Sequence, residues 1–209
     1  MIDYLVCNNK PTLLWLINIG CIDINPWTSN TDDYLHPNYI VIDLDPSDED
    51  FKKAVTTALA AKDFFDKNKL KAYVKTSGKT GMHIFIPCKD FSFGDARKIA
   101  VNICEEIHQL VPSITTTAIS VNQRGNKLYV DPNQNDEADT VASVYSCRPY
   151  KLPMLSTPLN WKEIKDDLNP EEFTISTIHK RVETKGDLWA GLYDEKQRVN
   201  NSKTLKQYS

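Results

Sequence analysis

Hydrophobic and polar positions along the chain switch between two periods. An apolar run that passes into alternation marks Tyr39–Pro46, read as Tyr-Ile-Val-Ile-Asp-Leu-Asp-Pro. Ile40, Ile42 and Leu44 share one face, which predicts burial, while Asp43 and Asp45 share the other. β-Branched and aromatic residues favour a strand there, and Pro46 closes it because proline cannot extend the hydrogen-bond ladder. A helical period follows. Phe51, Val55, Ala58, Leu59 and Phe65 predict an amphipathic helix reaching about Lys67, with Ser47 as N-cap and Asp50 in the capping-box position. Alternation returns at Leu70–Thr76 and His83–Pro87, on either side of the turn Ser77-Gly78-Lys79-Thr80-Gly81. A second helix is expected from about Gly94 to Leu110, with Ile99, Ile103, Ile107 and Leu110 on its core face.

Elsewhere the pattern is weaker. Pro11–Ile19 reads as a short helix, with proline near its first turn and Gly20 after its end. Cys21–Trp27 reads as a short strand and Thr28–Pro37 as a polar loop. Ser113–Val121, Lys127–Asp131 and Thr140–Ser146 are expected to be strands, with an acidic loop at Asp136–Asp139. Helices are expected around Trp161–Asp167 and Thr174–Arg181. No repeat or low-complexity linker intervenes, so residues 1–199 are expected to form one α+β domain, a mainly antiparallel sheet flanked by helices. The polar stretch 200–209 is expected to fray.

Composition narrows the class. A chain of 209 residues with 41% hydrophobic and 25% charged residues is ordinary for a soluble globular protein. No apolar run approaches the roughly 20 residues of a membrane span, and the start Met1-Ile2-Asp3-Tyr4 lacks a signal-peptide pattern. Five cysteines, an odd number without C-x-x-C spacing, point to reduced thiols in a cytoplasmic protein. Cys7, Cys21, Cys88, Cys104 and Cys147 read most simply as small buried apolar residues. The net charge of −3 hides an asymmetry. Nine Lys and Arg face four Asp and Glu between Lys62 and Lys98, and the proportion reverses to four against nine between Asp131 and Glu172. A local basic face can hold phosphates within an acidic protein, although the same counts also suit a solvated helix face.

Four stations could carry chemistry. Asp43 and Asp45 leave one face of a rigid strand roughly 7 Å apart, a spacing that suits a pair of divalent cations about 3.5–4 Å apart; alone, the pair could equally cap a turn. In Ser77-Gly78-Lys79-Thr80-Gly81-Met82-His83, two glycines let backbone N–H groups converge on an anion, and Ser77, Lys79 and Thr80 add donors and charge. His83 follows and could donate to a phosphate or a sugar hydroxyl. Spacing and the absence of a following helix exclude a Walker A loop. Asp131, in Tyr129-Val130-Asp131-Pro132-Asn133-Gln134-Asn135, ends a strand as Asp45 does, so three carboxylates can meet at one end of a sheet. All-oxygen donors suit hard divalent cations rather than zinc. In Tyr145-Ser146-Cys147-Arg148, Arg148 offers a forked grip on phosphate oxygens, or a surface ion pair if it acts alone.

The ordered set Asp43-Leu44-Asp45-Pro46, Ser77-Gly78-(x)2-Gly81-x-His83, Asp131-(x)2-Gln134-Asn135 and Tyr145-Ser146-x-Arg148 resembles the archaeo-eukaryotic primase superfamily. More closely, it is similar to the polymerase domain of ligase-D-type end-joining proteins. The likeness extends from Leu13-Leu14-Trp15-Leu16 and Asn25-Pro26-Trp27 to Pro158-Leu159-Asn160-Trp161 and Gly186-Asp187-Leu188-Trp189. It implies a primase-like catalytic core that adds nucleotides, often ribonucleotides, to a DNA 3′-hydroxyl during double-strand-break repair. Asp43, Asp45 and Asp131 would hold two Mn²⁺ or Mg²⁺ ions. Ser77, Gly78, Lys79, Thr80, Gly81, His83 and Arg148 would surround the incoming nucleoside triphosphate, with Gln134 beside them.

The resemblance also implies partners: DNA ends or a primer-template, a DNA ligase, a Ku-like end-binding protein, and association with the nucleoid during repair. Two departures from the family pattern stand out. Relatives place the basic residue of the turn directly before its second glycine; here Thr80 stands there and Lys79 precedes it, so either side chain could reach the phosphates. Relatives also carry a longer segment before the equivalent of Ile2–Pro11, which contributes to the DNA face, so a subunit supplying that part is a further expected partner. The alternative expectation is a nucleotide- and metal-binding primase-like module without polymerase activity of its own. A two-metal nuclease or phosphatase ranks below both, because a donor loop and Arg148 suit a triphosphate.

Overall fold

The computed structural model describes residues 4–209. At its centre lies a six-stranded sheet built from β1 (Tyr39–Pro46), β2 (Tyr73–Thr76), β3 (Met82–Pro87), β4 (Thr115–Thr116), β5 (Leu128–Asp131) and β6 (Pro158–Leu159). Their order across the sheet is β4-β5-β1-β3-β2-β6. Only β4 and β5 run parallel, so the architecture is α+β with a mainly antiparallel sheet, as the alternation of residues anticipates.

The period-2 pattern of β1 divides the molecule. Ile40, Ile42 and Leu44 lie opposite Ile86, Ile84 and Met82 of β3, and with Leu128 and Val130 of β5 they form a solvent-free back face. Against that face pack α2 (Phe51–Lys67) and α3 (Phe93–Leu110), through Val55, Ala58, Phe65, Ile99, Ile103 and Ile107. Burying one such aliphatic side chain contributes about 1.5–3 kcal/mol, so this layer fixes β1 in register. Leu59 and Leu110, expected on the core faces, point outward instead: 38% and 52% exposed, they lie off the stripe that meets the sheet. The cap of α2 is Asp50, which accepts from the Lys52 N–H at 3.1 Å. Ser47 is passed over because Pro46–Glu49 forms a turn, with Glu49 in the left-handed region at φ 62°.

On the front face, Tyr39, Val41 and Phe85 pack with Val141, Trp189 and Leu192 into a smaller aromatic cluster. Two expected strands are absent there. Cys21–Trp27 and Thr140–Ser146 lie side by side, with Val141 N–H on Pro26 O and Ser143 N–H on Ile24 O. Only the Trp27–Thr140 bridge is sheet-like, because Pro26 has no N–H to return. Ser113–Val121 keeps only the two residues of β4 before a 3₁₀ turn at Val121–Gln123. Trp161–Asp167 likewise forms a single 3₁₀ turn at Trp161–Glu163, boxed by Asn160 and Glu163.

Three further helices complete the chain: α1 (Lys10–Asn18), α4 (Ile175–Lys185) and α5 (Glu195–Leu205). α1 buries none of its residues; Leu13, Leu14, Trp15 and Ile17 are all exposed. The stretch 200–209 does not fray. Asn201 accepts from Lys71 N–H and donates to Lys71 O and Pro87 O, Ser202 brackets the backbone of Lys89, and Leu205 is fully buried. Polar side chains dock this helix by satisfying strand-end backbone groups, which composition alone does not reveal. Of the cysteines, Cys88, Cys104 and Cys147 are buried as expected; Cys7 is exposed and Cys21 half-buried. Among the described residues, no helix is long and apolar enough to cross a membrane.

Candidate active site

The front face carries one row of residues in register across four strands. Asp131 of β5 lies opposite Asp43 of β1, Asp43 opposite His83 of β3, and His83 opposite Lys75 of β2. One residue pair along β1, Asp45 faces Tyr129. The three expected carboxylates therefore meet because period-2 alternation puts them on one face and antiparallel pairing puts two of them side by side.

Burial makes this cluster electrostatically expensive. Asp43 is pushed up to about 7, first by loss of solvent and then by Asp45 and Asp131; a Gln134 hydrogen bond and the Lys75 charge work the other way. Burial also raises Asp45 and Asp131, with Arg124 opposing both and the Asn133 backbone N–H steadying Asp131 at 2.7 Å. Gln134 Nε2 donates to Asp43 Oδ2 at 3.4 Å, which places it beside the acids.

Its neighbour Asn135 has a structural task. It closes both backbone groups of Val41, accepting from N–H at 2.8 Å and donating to C=O at 2.7 Å, just where β5 ends and leaves the β1 edge open. Arg97 of α3 holds this turn from behind through Asn133 and Asp136.

The glycine turn is pinned against the same strand end. A Cβ on Gly81 would lie 2.3 Å from the Leu44 carbonyl oxygen, so only glycine permits this approach. Gly78 sits at φ +80°, with the Arg148 side chain and Ser156 backbone against it. Ser77 Oγ accepts from Lys79 N–H and Gly81 N–H, each at 3.1 Å. Those two N–H groups therefore brace the turn, and the Ser77 hydroxyl hydrogen is what the loop offers outward. Lys79 lies close enough to Asp45 to stabilise its charge. With Thr80 it lines a cavity of about 290 Å³ bounded also by Glu49, Lys151 and Met154. Arg148 lies close enough to Lys75 and His83 to disfavour positive charge on both, and its buried Nε faces Asp23 Oδ1 at 3.4 Å in an ion pair.

Sequence reasoning missed Lys75, Ser156, Arg124 and Asp23. Lys75 is wholly buried, its Nζ 2.8 Å from His83 Nδ1 and hydrogen-bonded to Ser156 Oγ. Burial holds Lys75 well below the ordinary lysine range, against the pull of Asp43, and holds His83 well below the ordinary imidazole range, with Lys75 and Arg148 adding to it. Arg124 stacks on Tyr129 with its guanidinium 3.7 Å from the ring centroid. The alternation of β2 marks Lys75 as front-facing, but only the sheet order shows what covers it.

Among the described residues, no group of three or more His, Cys, Asp or Glu side chains closes on one point as a finished metal cage does. The donor chemistry nonetheless fits hard divalent cations: three carboxylates, partly buried and mutually repelling, need positive charge to stay ionised together.

Comparison with known proteins gives the family and the fold. The family model described as LigD, primase-polymerase domain, matches residues 1–189. The Bifunctional non-homologous end joining protein LigD of Bacillus subtilis is 33% identical over 209 residues, covering 98% of this chain and 34% of that protein. The Multifunctional non-homologous end joining protein LigD of Mycolicibacterium smegmatis is 26% identical over 195 residues, covering 90% of this chain and 25% of the relative. The chain thus spans between a quarter and about a third of the length of these curated relatives. Among solved structures, the polymerase domain from Mycobacterium tuberculosis Ligase D, in complex with DNA, superposes with a TM-score of 0.77 at 23% identity, over 88% of this chain and 67% of that one. At that identity the likeness speaks for the shared fold.

Proposed function

We propose, from the premise that this chain belongs to the LigD primase-polymerase family, that it is a nucleotidyltransferase adding nucleotides to a DNA 3′-hydroxyl in end joining. The observation that carries the reading is the in-register row Asp131–Asp43–His83–Lys75 with Asp45 alongside, next to a braced glycine turn that packs against Arg148.

In this reading Asp43, Asp45 and Asp131 hold two divalent cations, Mn²⁺ or Mg²⁺. Cations held there would supply Lewis-acid activation of the attacking hydroxyl and charge neutralisation of the triphosphate. Arg148 and His83 grip the triphosphate and sugar from the β2–β3 side. Ser77 contributes its hydroxyl hydrogen, and Lys79 approaches from the cavity beyond Asp45. Thr80 borders that cavity, so Lys79 is the turn residue that supplies charge. Gly78 and Gly81 act through backbone shape. Gln134 holds Asp43 in place. Ribonucleotides are the proposed substrates, as the family resemblance implies, with His83 the group that would meet a sugar hydroxyl. DNA ends, a ligase and a Ku-like protein are the partners proposed from the family.

Primer extension on gapped, 5′-phosphorylated DNA, with ribo- or deoxynucleotides in Mn²⁺ or Mg²⁺, tests this. Extension with pyrophosphate release is expected, abolished by Asp43→Ala or Asp131→Ala in folded protein. Full extension by either variant overturns the mechanism. Nucleotide- and Mn²⁺-dependent stabilisation without extension would identify a binding module instead.

A further inference from the structure

Lys75 has no place in the chemistry above, yet it is a fully buried lysine two strands from the carboxylates. Such a residue is costly to retain and demands complete pairing. Its pairing has a direction. Ser156 Oγ donates its hydrogen to the Thr76 carbonyl at 3.0 Å, so toward Lys75 it can only accept. On its other side Lys75 meets His83 Nδ1 at 2.8 Å. The opposite ring nitrogen, Nε2, faces Asp43 Oδ1 at 3.6 Å. Once Asp43 is ionised, above about pH 7, a lone pair on Nε2 would confront carboxylate oxygen lone pairs, whereas an N–H there is attracted to them. Nε2 therefore carries the ring hydrogen, Nδ1 is an acceptor, and Lys75 donates to it.

From this chain we infer that Lys75 is a positioning residue that locks His83 in its Nε2–H form, so the imidazole presents a fixed donor to the carboxylate end of the site. The hydrogen bonds run one way, from Lys75 to Ser156 and on to Thr76, and from Lys75 to His83 toward Asp43. Both anchors of Lys75 belong to rigid strands or their immediate flank, so the ring cannot flip without stranding a buried ammonium or amine. The role of the donor rests on the nucleotide reading above: the ligand oxygen facing it is an ionised phosphate oxygen, which accepts and never donates. A histidine free to exchange tautomers would present a lone pair to that oxygen part of the time.

The tautomer is read directly by ¹⁵N-imidazole NMR on the full chain at pH 8, where Asp43 is ionised, without activity. Wild type is expected to show a single Nε2–H form for His83, assigned by its loss in His83→Gln. Lys75→Met keeps the length and removes the donors; in folded protein it is expected to give mixed or Nδ1–H signals. An Nδ1–H form in wild type, or an unchanged single Nε2–H form in Lys75→Met, overturns the inference. If Lys75→Met does not fold, the wild-type spectrum alone still decides. In the extension assay, Lys75→Met should raise nucleotide KM roughly tenfold, the worth of one hydrogen bond to a charged group. It should add little to His83→Gln, because both remove the same contact. Full additivity of the two variants would contradict the positioning role. Absence of extension in every variant, with the tautomer result intact, would fault the functional reading and leave the lock standing.

Discussion

Asp43→Asn is expected to make the metal-free protein more stable while abolishing its chemistry. The acid rises from 3.8 to about 7 in the fold, chiefly through burial and then through Asp45 and Asp131. At about 1.36 kcal/mol per pH unit, an ionised Asp43 costs the native state about 4 kcal/mol. Its side chain keeps 19% exposure, which admits water and brings the figure to about 2–3 kcal/mol. The sign follows from the raised value. Between about pH 4 and pH 7 the native state holds a proton that the unfolded state has lost, so stability falls as pH rises through that window and stays reduced above it. Asparagine has the same size and can still accept the Gln134 hydrogen bond, but carries no charge. Urea denaturation in EDTA should show the variant ahead by about 2–3 kcal/mol at pH 8 and by under about 1 kcal/mol at pH 4.5. Adding Mn²⁺ should stabilise wild type and leave the variant unmoved. A variant no more stable than wild type at pH 8, or a gap equal at both pH values, would refute the reasoning.

Three other substitutions follow from contacts. Gly81→Ala brings a methyl group against the Leu44 carbonyl, a backbone atom that cannot yield, and should cost about 2–3 kcal/mol in chemical denaturation; an unchanged midpoint would show that the turn can retreat from β1. Asn135→Ala strands the N–H and C=O of Val41, with an expected loss of about 2–3 kcal/mol and faster hydrogen exchange at Val41, so unaltered exchange would count against the clamp. Leu205→Ala should cost about 2–4 kcal/mol, since its side chain is fully buried in the main core, whereas a negligible change would mean that α5 is dispensable.

What could be read from the sequence follows how local its physical signal is. The alternation of Tyr39–Pro46 was enough to separate the Ile40, Ile42 and Leu44 face from that of Asp43 and Asp45, because one strand decides it. Asp131 could be matched to these acids since it too ends a strand, and the pairing of Asp43 with Asp131 realises that match. Lys75 was not legible in the same way. Its burial depends on Ser156, 81 residues away, and on the sheet order that seats β2 beside β3. Cys21–Trp27 and Thr140–Ser146 have strand-like composition, yet Pro26 breaks the ladder between them after a few one-sided bonds. In α5 the docking contacts come from Asn201 and Ser202, residues whose polarity suggests solvent until the unpaired backbone of Lys71, Pro87 and Lys89 is seen beside them.

The central claim is that Asp43, Asp45 and Asp131 act as one divalent-cation centre for nucleotidyl transfer. Mn²⁺ titration followed by electron paramagnetic resonance, with nucleotide present, tests it most directly on wild type and Asp131→Ala. The account predicts two magnetically coupled Mn²⁺ ions per wild-type chain, and loss of the coupled signal in the variant. Unchanged Mn²⁺ binding and coupling in Asp131→Ala would contradict it.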